Sequence, residues 1–173
     1  MKLLDDSDVK KLLHKGWMTH DAMWFYHSVL ESGIETTNRI NRAAVRSMAK
    51  IEAKRILKAS GLDEVASMGA FKALMEIVDQ VVRAEFMKFE IEFPSENMML
   101  VTMPQCFAHD GMVKMGMAGQ YQCGIFERFW GWLDALEIPY DFSPKVLGCM
   151  MHETGRCFRE IRLDFDKKLK SAA

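Results

Sequence analysis

Met87-Lys88-Phe89-Glu90-Ile91-Glu92-Phe93 alternates apolar and charged residues without a slip. A period of two belongs to a strand with one face buried and one in water. Pro94-Ser95-Glu96-Asn97, which follows, is turn chemistry, and Met98 to Met103 supplies a second apolar strand. The stretch therefore reads as a β-hairpin over 87–103, ended by Pro104 just before Cys106.

Before residue 85 the chain reads as helix. A short amphipathic segment with Val9, Leu12 and Leu13 ends at Lys15-Gly16. Thr19 suits the N-cap of a helix from about His20 to Glu31, closed by Ser32-Gly33. Thr36 or Thr37 opens a longer helix through Ile40, Val45, Met48, Ile51 and Ile56, stopped at Ser60-Gly61. Asp63 begins a third, with Phe71, Leu74, Ile77, Val78, Val81 and Val82 at helical spacing.

After the hairpin, 107–117 is open between a loose helix and a loop, and Cys123 to Leu136 is helical and aromatic. Pro139 and Pro144 bracket an irregular crossing. Val146–Met151 and Arg156–Phe165 read as a second hairpin around Glu153-Thr154-Gly155, and Lys167–Ala173 as a polar tail. The expected fold class is α+β: N-terminal helices packed on an antiparallel sheet made of two hairpins, β-β-α-α-β-β.

A length of 173 residues fits a single domain, with 1–84 its helical part and 85–166 its cysteine-bearing α+β part. At 49% hydrophobic residues it needs no staples to build a core. The net charge is −1, with the 23 basic and 24 acidic residues well mixed. That balance speaks against nucleic acid as a partner, and no polybasic block invites a membrane surface. No apolar run reaches the ~18 residues of a spanning helix. The start, Met1-Lys2-Leu3-Leu4-Asp5-Asp6, turns acidic where a signal peptide needs its apolar stretch, so the expected location is cytoplasmic. Thiols stay reduced there. A homo-oligomer is compatible with all of this.

The cysteines are Cys106, Cys123, Cys149 and Cys157, spaced C-x16-C-x25-C-x7-C with no C-x2-C pair. A loop centred on Glu153 would set Cys149 and Cys157 opposite one another, Cβ atoms ~5 Å apart. Cys123 opens a helix, where the macrodipole and free N–H groups favour a thiolate. Four converging thiolates could hold zinc or an iron–sulfur cluster, with His152 able to replace one of them. The other readings are buried small hydrophobes, or a redox or nucleophilic role.

His20, Trp24, His27 and Glu31 form one helical stripe, flanked by Asp21. Imidazoles and a carboxylate on one face could bind metal or supply acid–base groups; alternatively Trp24 is core and His27 with Glu31 a surface pair. Glu52 falls in the apolar stripe of its helix and must find a partner, with Lys54 and Arg55 adjacent. Fifteen methionines first suggest adaptable packing. Tyr121, Phe126, Phe129, Trp130 and Trp132, interleaved with glycines, make a cavity beside Cys123 plausible.

His20-Asp21-Ala22-Met23-Trp24-Phe25 followed by Ile51-Glu52-Ala53-Lys54-Arg55-Ile56 resembles an uncharacterised family of small bacterial and archaeal cytosolic proteins. Its members carry a His-Asp-Gly-Leu-Trp-Phe-like helix and spaced cysteines; Ala22 stands here for the family's Gly. Cys149 to Phe158, with Gly155-Arg156-Cys157-Phe158, is similar to the ending of L-2-amino-thiazoline-4-carboxylic acid hydrolase-like proteins and of 4-vinyl reductase-like domains, although the last cysteines here are C-x7-C. The resemblance implies a cytosolic α+β domain that binds a small molecule or a metal through cysteines.

The leading expectation is a cysteine-ligated metal or iron–sulfur protein that binds or transforms a small organic molecule. Cys106, Cys123, Cys149 and Cys157 would be metal ligands, His20, Asp21 and Glu52 catalytic polar groups, and Trp24 and Trp130 walls for the bound group. The alternatives are a metal-free small-ligand-binding module with cavity-lining thiols, or a hydrolase using Cys123 with His20 or His109 as base.

Overall fold

The computed structural model describes residues 3–171. Met1, Lys2 and the last two residues of the expected tail lie outside the described residues. The element order is α1 (Asp6–Ser60), α2 (Met68–Val82), β1 (Lys88–Ser95), β2 (Met98–Gln105), α3 (Phe107–Lys114), α4 (Ile125–Ala135), β3 (Tyr140–Ser143), α5 (Met150–Thr154), β4 (Cys157–Leu163) and α6 (Phe165–Ser171).

Local chemistry sets the helix ends. Asp5 caps α1 by accepting the Asp8 N–H at 2.8 Å, and Gly61 closes it in the left-handed region at φ 70°. Helix runs straight through Gly16, where the sequence suggests a stop. The real interruption is Gly33, at φ 76° and ψ 162°, which divides α1 into an N-terminal and a C-terminal arm. Only glycine adopts such a backbone without strain. Both arms pass the same point on α4: the Trp17 ring lies 5.0 Å from the Arg128 guanidinium, and Glu52 pairs with that same arginine. The third helix starts at Met68, because Ser67 and not Asp63 supplies the cap, accepting from Ala70 N–H at 3.2 Å. Its end is capped from outside: Lys10 Nζ donates to the Gln80 carbonyl, and the His14 ring meets that of Val81 at 3.2 Å.

The sheet is antiparallel throughout, in the order β1-β2-β4-β3. The first hairpin lies where the alternation puts it. A second hairpin of the expected kind is not formed. β4 pairs on one side with β2, Met103 opposite Cys157, and on the other with β3, inside the stretch read as an irregular crossing. Residues 150–154 close up as one helical turn, with Thr154 Oγ1 donating to the Met150 carbonyl and Gly155 capping at φ 70°. Gly155 thus serves as a helix C-cap rather than a hairpin turn. Residues 167–171 of the expected polar tail, together with Phe165, where the last strand was expected to end, belong to helix α6.

The inner face of the sheet carries Met99, Val101, Met103, Cys157, Ile161 and Leu163, packed in one core with Phe71, Leu74 and Val78 of α2 and Phe126, Phe129, Trp130 and Leu133 of α4. The C-terminal arm of α1 crosses α4 behind this layer. Arg42 Nη2 meets Glu127 at 2.6 Å, Arg46 Nε meets Asp134 at 2.9 Å, and Lys50 reaches Asp134 at 3.0 Å. Burial opposes the charge on Asp134, but hydrogen bonds from Arg46 and Lys50 outweigh it and hold the carboxyl below its usual range.

A carboxylate depressed in the folded state stabilises above its unfolded pKa, about 3.9, and loses that contribution as pH falls through its folded value. The urea midpoint should therefore drop between pH 5 and about pH 2, and Asp134→Asn should show a smaller drop over that window. Equal drops in the two proteins would remove Asp134 from the account.

Candidate functional site

Four free thiols line the ground between α3, α4 and the start of β4. Cys106 stands at the N-cap position of α3, Cys149 at that of α5, and Cys157 opens β4 on its inner face. Cys106 and Cys157 belong to the main core. Cys149 packs in a second apolar cluster with Phe25, Met112, Ala118 and Tyr121, and Cys123 touches both clusters.

Burial first, and then the neighbouring thiols, push Cys157 up to about 12 and Cys123 up to about 11. Cys106 is also raised, chiefly by burial. The backbone N–H groups of Ile125 and Phe126 favour a Cys123 thiolate, as a helix N-terminus should, yet burial is the larger effect. A Cys123 nucleophile would thus start from a protonated thiol at neutral pH. The His109 ring, half-buried, lies 6.1 Å from that of His152 and 3.4 Å from the Asp110 carboxylate.

Among the described residues no group of three or more Cys, His, Asp or Glu side chains is disposed to hold a metal ion. This overturns the reading as a cysteine-ligated metal or iron–sulfur protein. It needed Cys149 and Cys157 as cross-strand partners, but Cys149 begins a helix and Cys157 faces Met103.

The other residues singled out from sequence are not brought together. His20, Asp21 and Trp24 lie in the open on the N-terminal arm; Trp24 Nε1 donates to His20 Nε2 at 3.0 Å, and Asp21 is 3.6 Å from the same ring. Trp24 is 65% exposed and so is not core. Glu52 sits on the other arm, half-buried, accepting from Arg128 Nε at 2.9 Å, Arg128 Nη2 at 2.5 Å and Trp132 Nε1 at 2.8 Å. Its partner is across the helix pair, not the adjacent Lys54 or Arg55. Trp130 is buried, stacked 4.2 Å from Phe142 and 5.1 Å from Tyr140, which ties α4 to β3.

Two features escaped the sequence reading. One is the length of the outward stripe on α1. Because the helix does not stop at Gly16, the stripe extends back to Val9: Val9, Leu13, Gly16, His20, Met23, His27 and Leu30 follow one another in alternating steps of four and three. That is the a/d spacing of a coiled-coil seam. Leu12, Trp17 and Trp24 flank it, and all the large apolar members are exposed, Leu13 by 67% and Leu30 by 62%. Phe25, on the opposite face of the helix, packs its ring on Tyr121. The seam therefore points away from the body.

The other feature is Arg159. The alternation from Cys157 to Leu163 places it on the apolar face of β4, and there it is 3% exposed. The run of alternating residues was a sufficient signal.

No helix among the described residues is long and apolar enough to cross a membrane. No curated protein matches the sequence. A solved structure similar in outline is a trafficking protein particle complex subunit 3 from Naegleria fowleri, covalently bound to palmitic acid. The likeness has a TM-score of 0.47 and 12% identity, and covers 85% of this chain and 96% of that one. The family whose model matches is neither the L-2-amino-thiazoline-4-carboxylic acid hydrolase-like one nor the 4-vinyl reductase-like one, so the resemblance drawn from residues 20–25, 51–56 and 149–158 is corrected, and the hydrolase reading with it. The sequence profile that matches, over residues 4–129, is that of a family of unknown function, and the chain belongs to that family, DUF6125.

Proposed function

We propose that this chain is an assembly module whose N-terminal arm of α1 pairs with the same arm of a second copy. The observation that carries the reading is the exposed a/d seam from Val9 to Leu30, on the face opposite the buried Phe25. Seven large apolar side chains lie on or beside it: Val9, Leu12, Leu13, Trp17, Met23, Trp24 and Leu30. At roughly 100 Å² each they offer about 700 Å² per chain, close to the ~800 Å² per partner of a standard stable interface. A monomer rarely leaves so much contiguous apolar surface in water.

The pattern favours self-pairing. The a/d positions hold no Asp, Glu, Lys or Arg, so the seam has no strong charge with which to select an oppositely charged partner. In an antiparallel pair Trp24, 65% exposed, meets the exposed part of Trp17, whose ring also lies on Arg128, near the two-fold axis, where large aromatics contribute most.

Sedimentation velocity tests this. The wild-type chain should run as a dimer at micromolar concentration, and the double variant Leu13→Asp, Leu30→Asp as a folded monomer with the same circular dichroism spectrum. A wild-type monomer at 100-fold higher concentration, or a variant that still dimerises, would sink the reading. So would a monomer that co-sediments with lipid vesicles, since the seam would then belong to a membrane surface.

A further inference from the structure

The a/d seam of α1 holds two residues that are neither apolar nor glycine, His20 and His27. They share the heptad position of Leu13, one and two repeats further along. Histidine is the side chain whose charge ordinarily changes between pH 5 and 8. The geometry assigns the charge state of the first. Trp24 Nε1 can only donate, and it meets His20 Nε2 at 3.0 Å. That nitrogen is therefore an acceptor, and the ring is the neutral tautomer with its proton on Nδ1. A proton on Nε2 would turn the acceptor into a donor, break this bond and free the Trp24 ring that flanks the seam.

The charged and titratable groups near the two rings lie on their own arm. Asp21 is 3.6 Å from His20, with its side chain 58% exposed. Glu31 follows His27 by one helical turn, and the Tyr26 ring lies 5.3 Å from that of His27. Among the described residues, no hydrogen bond or ion pair joins either imidazole to another element. His14, the third histidine of the arm, stands off the seam with its ring on the Val81 carbonyl. In an antiparallel pair with Leu13 opposite Leu30 of the second copy, the same offset sets His20 opposite Met23 and His27 opposite Gly16. The facing seam thus offers neither imidazole a carboxylate.

We infer that the pairing of the two arms is switched by pH through His20 and His27: neutral rings let the seam close, and protonated rings open it. The inference rests on the self-pairing proposed above. A closed seam takes two imidazoles from each copy out of water, and burying a charge without a partner is costly. Asp21 favours a charged His20 in the separated arm as well as in the pair, so it bears on where the switch acts and not on its direction. The separated arm takes up protons that the paired arm excludes, so the pair weakens as pH falls.

Sedimentation equilibrium of the full chain at pH 8 and pH 5.5, at constant ionic strength, reads the effect. The dissociation constant of the wild-type pair should rise at least ~100-fold between the two, with an unchanged circular dichroism spectrum. His20→Leu, His27→Leu should pair at least as tightly at pH 8 and change by less than about 3-fold at pH 5.5, since its seam holds no titrating group. In wild type at pH 8, the nitrogen resonances of His20 should show the proton on Nδ1. A wild-type pair equally tight at both pH values overturns the switch and leaves the self-pairing standing. A wild type that is monomeric at pH 8 removes the self-pairing, and the switch with it. If the leucine variant loses its pair in acid as wild type does, the response lies outside the seam and the inference is overturned.

Discussion

Replacing Gly131 with alanine should lower the melting temperature by about 2–8 °C, and replacing it with valine should leave no folded protein. Gly131 marks the closest approach of α1 and α4. A Cβ built on it would stand 2.5 Å from the Arg46 carbonyl oxygen and 2.6 Å from the Ala49 Cβ. Neither is the free end of a flexible side chain: one is backbone, and Ala49 is wholly buried. The helices must therefore separate, which strains the Arg46–Asp134 and Arg42–Glu127 pairs on either side of the crossing.

Overpacking of this kind costs about 1–3 kcal/mol for a methyl. The gain in helix propensity from losing a glycine, about 1 kcal/mol, offsets part of it. Thermal unfolding of Gly131→Ala against wild type decides the matter. A melting temperature unchanged or raised would mean that the crossing yields freely, and the tight contact would then carry no weight.

What the sequence made legible depended on the range of each signal. The hairpin β1–β2 and the stops at Gly33 and Gly61 are set by residues within a few positions of one another, so alternation and glycine punctuation found them. The pairing of β4 with β3 was hidden: β3 is four residues long, and its place is fixed by Trp130 stacking on Tyr140 and Phe142. Gly155 is equally suited to a hairpin turn and to a helix C-cap, and only the packing of residues 150–154 chooses between them.

Glu52 shows the same limit in the candidate site. A carboxylate in an apolar stripe announces that it has a partner, but the partner, Arg128, is 76 residues away. Gly16 misled in the opposite direction. Read as a stop, it cut the outward stripe of α1 in half, and the seam from Val9 to Leu30 vanished into two short amphipathic pieces. Arg159 was legible from period alone, since it falls between Cys157 and Ile161 on the buried side of β4. Its lack of a counter-ion was not, because that property belongs to everything else around it.

The clamp between the two long helices gives the second large effect, through an asymmetry. Glu127 is buried, while Arg42 and Arg46, which hold it, are each about a third exposed. Removing the carboxylate lets both arginines turn toward water, so Glu127→Gln should cost only about 1 kcal/mol. Removing Arg42 leaves a buried carboxylate facing Arg46 Nη1 at 3.4 Å and little else. Stranding a buried charge costs about 3–5 kcal/mol, so Arg42→Ala should cost at least ~3 kcal/mol.

The combination Arg42→Ala, Glu127→Gln should then be more stable than Arg42→Ala alone, a sign that no sum of independent contacts produces. Urea unfolding of the four proteins at pH 7 measures the cycle. If Arg42→Ala cost under 1 kcal/mol, Arg46 would have swung in to take over Glu127, and the pair would be redundant. Costs that simply add would place the destabilisation in lost packing of the arginine stem rather than in the charge it leaves behind.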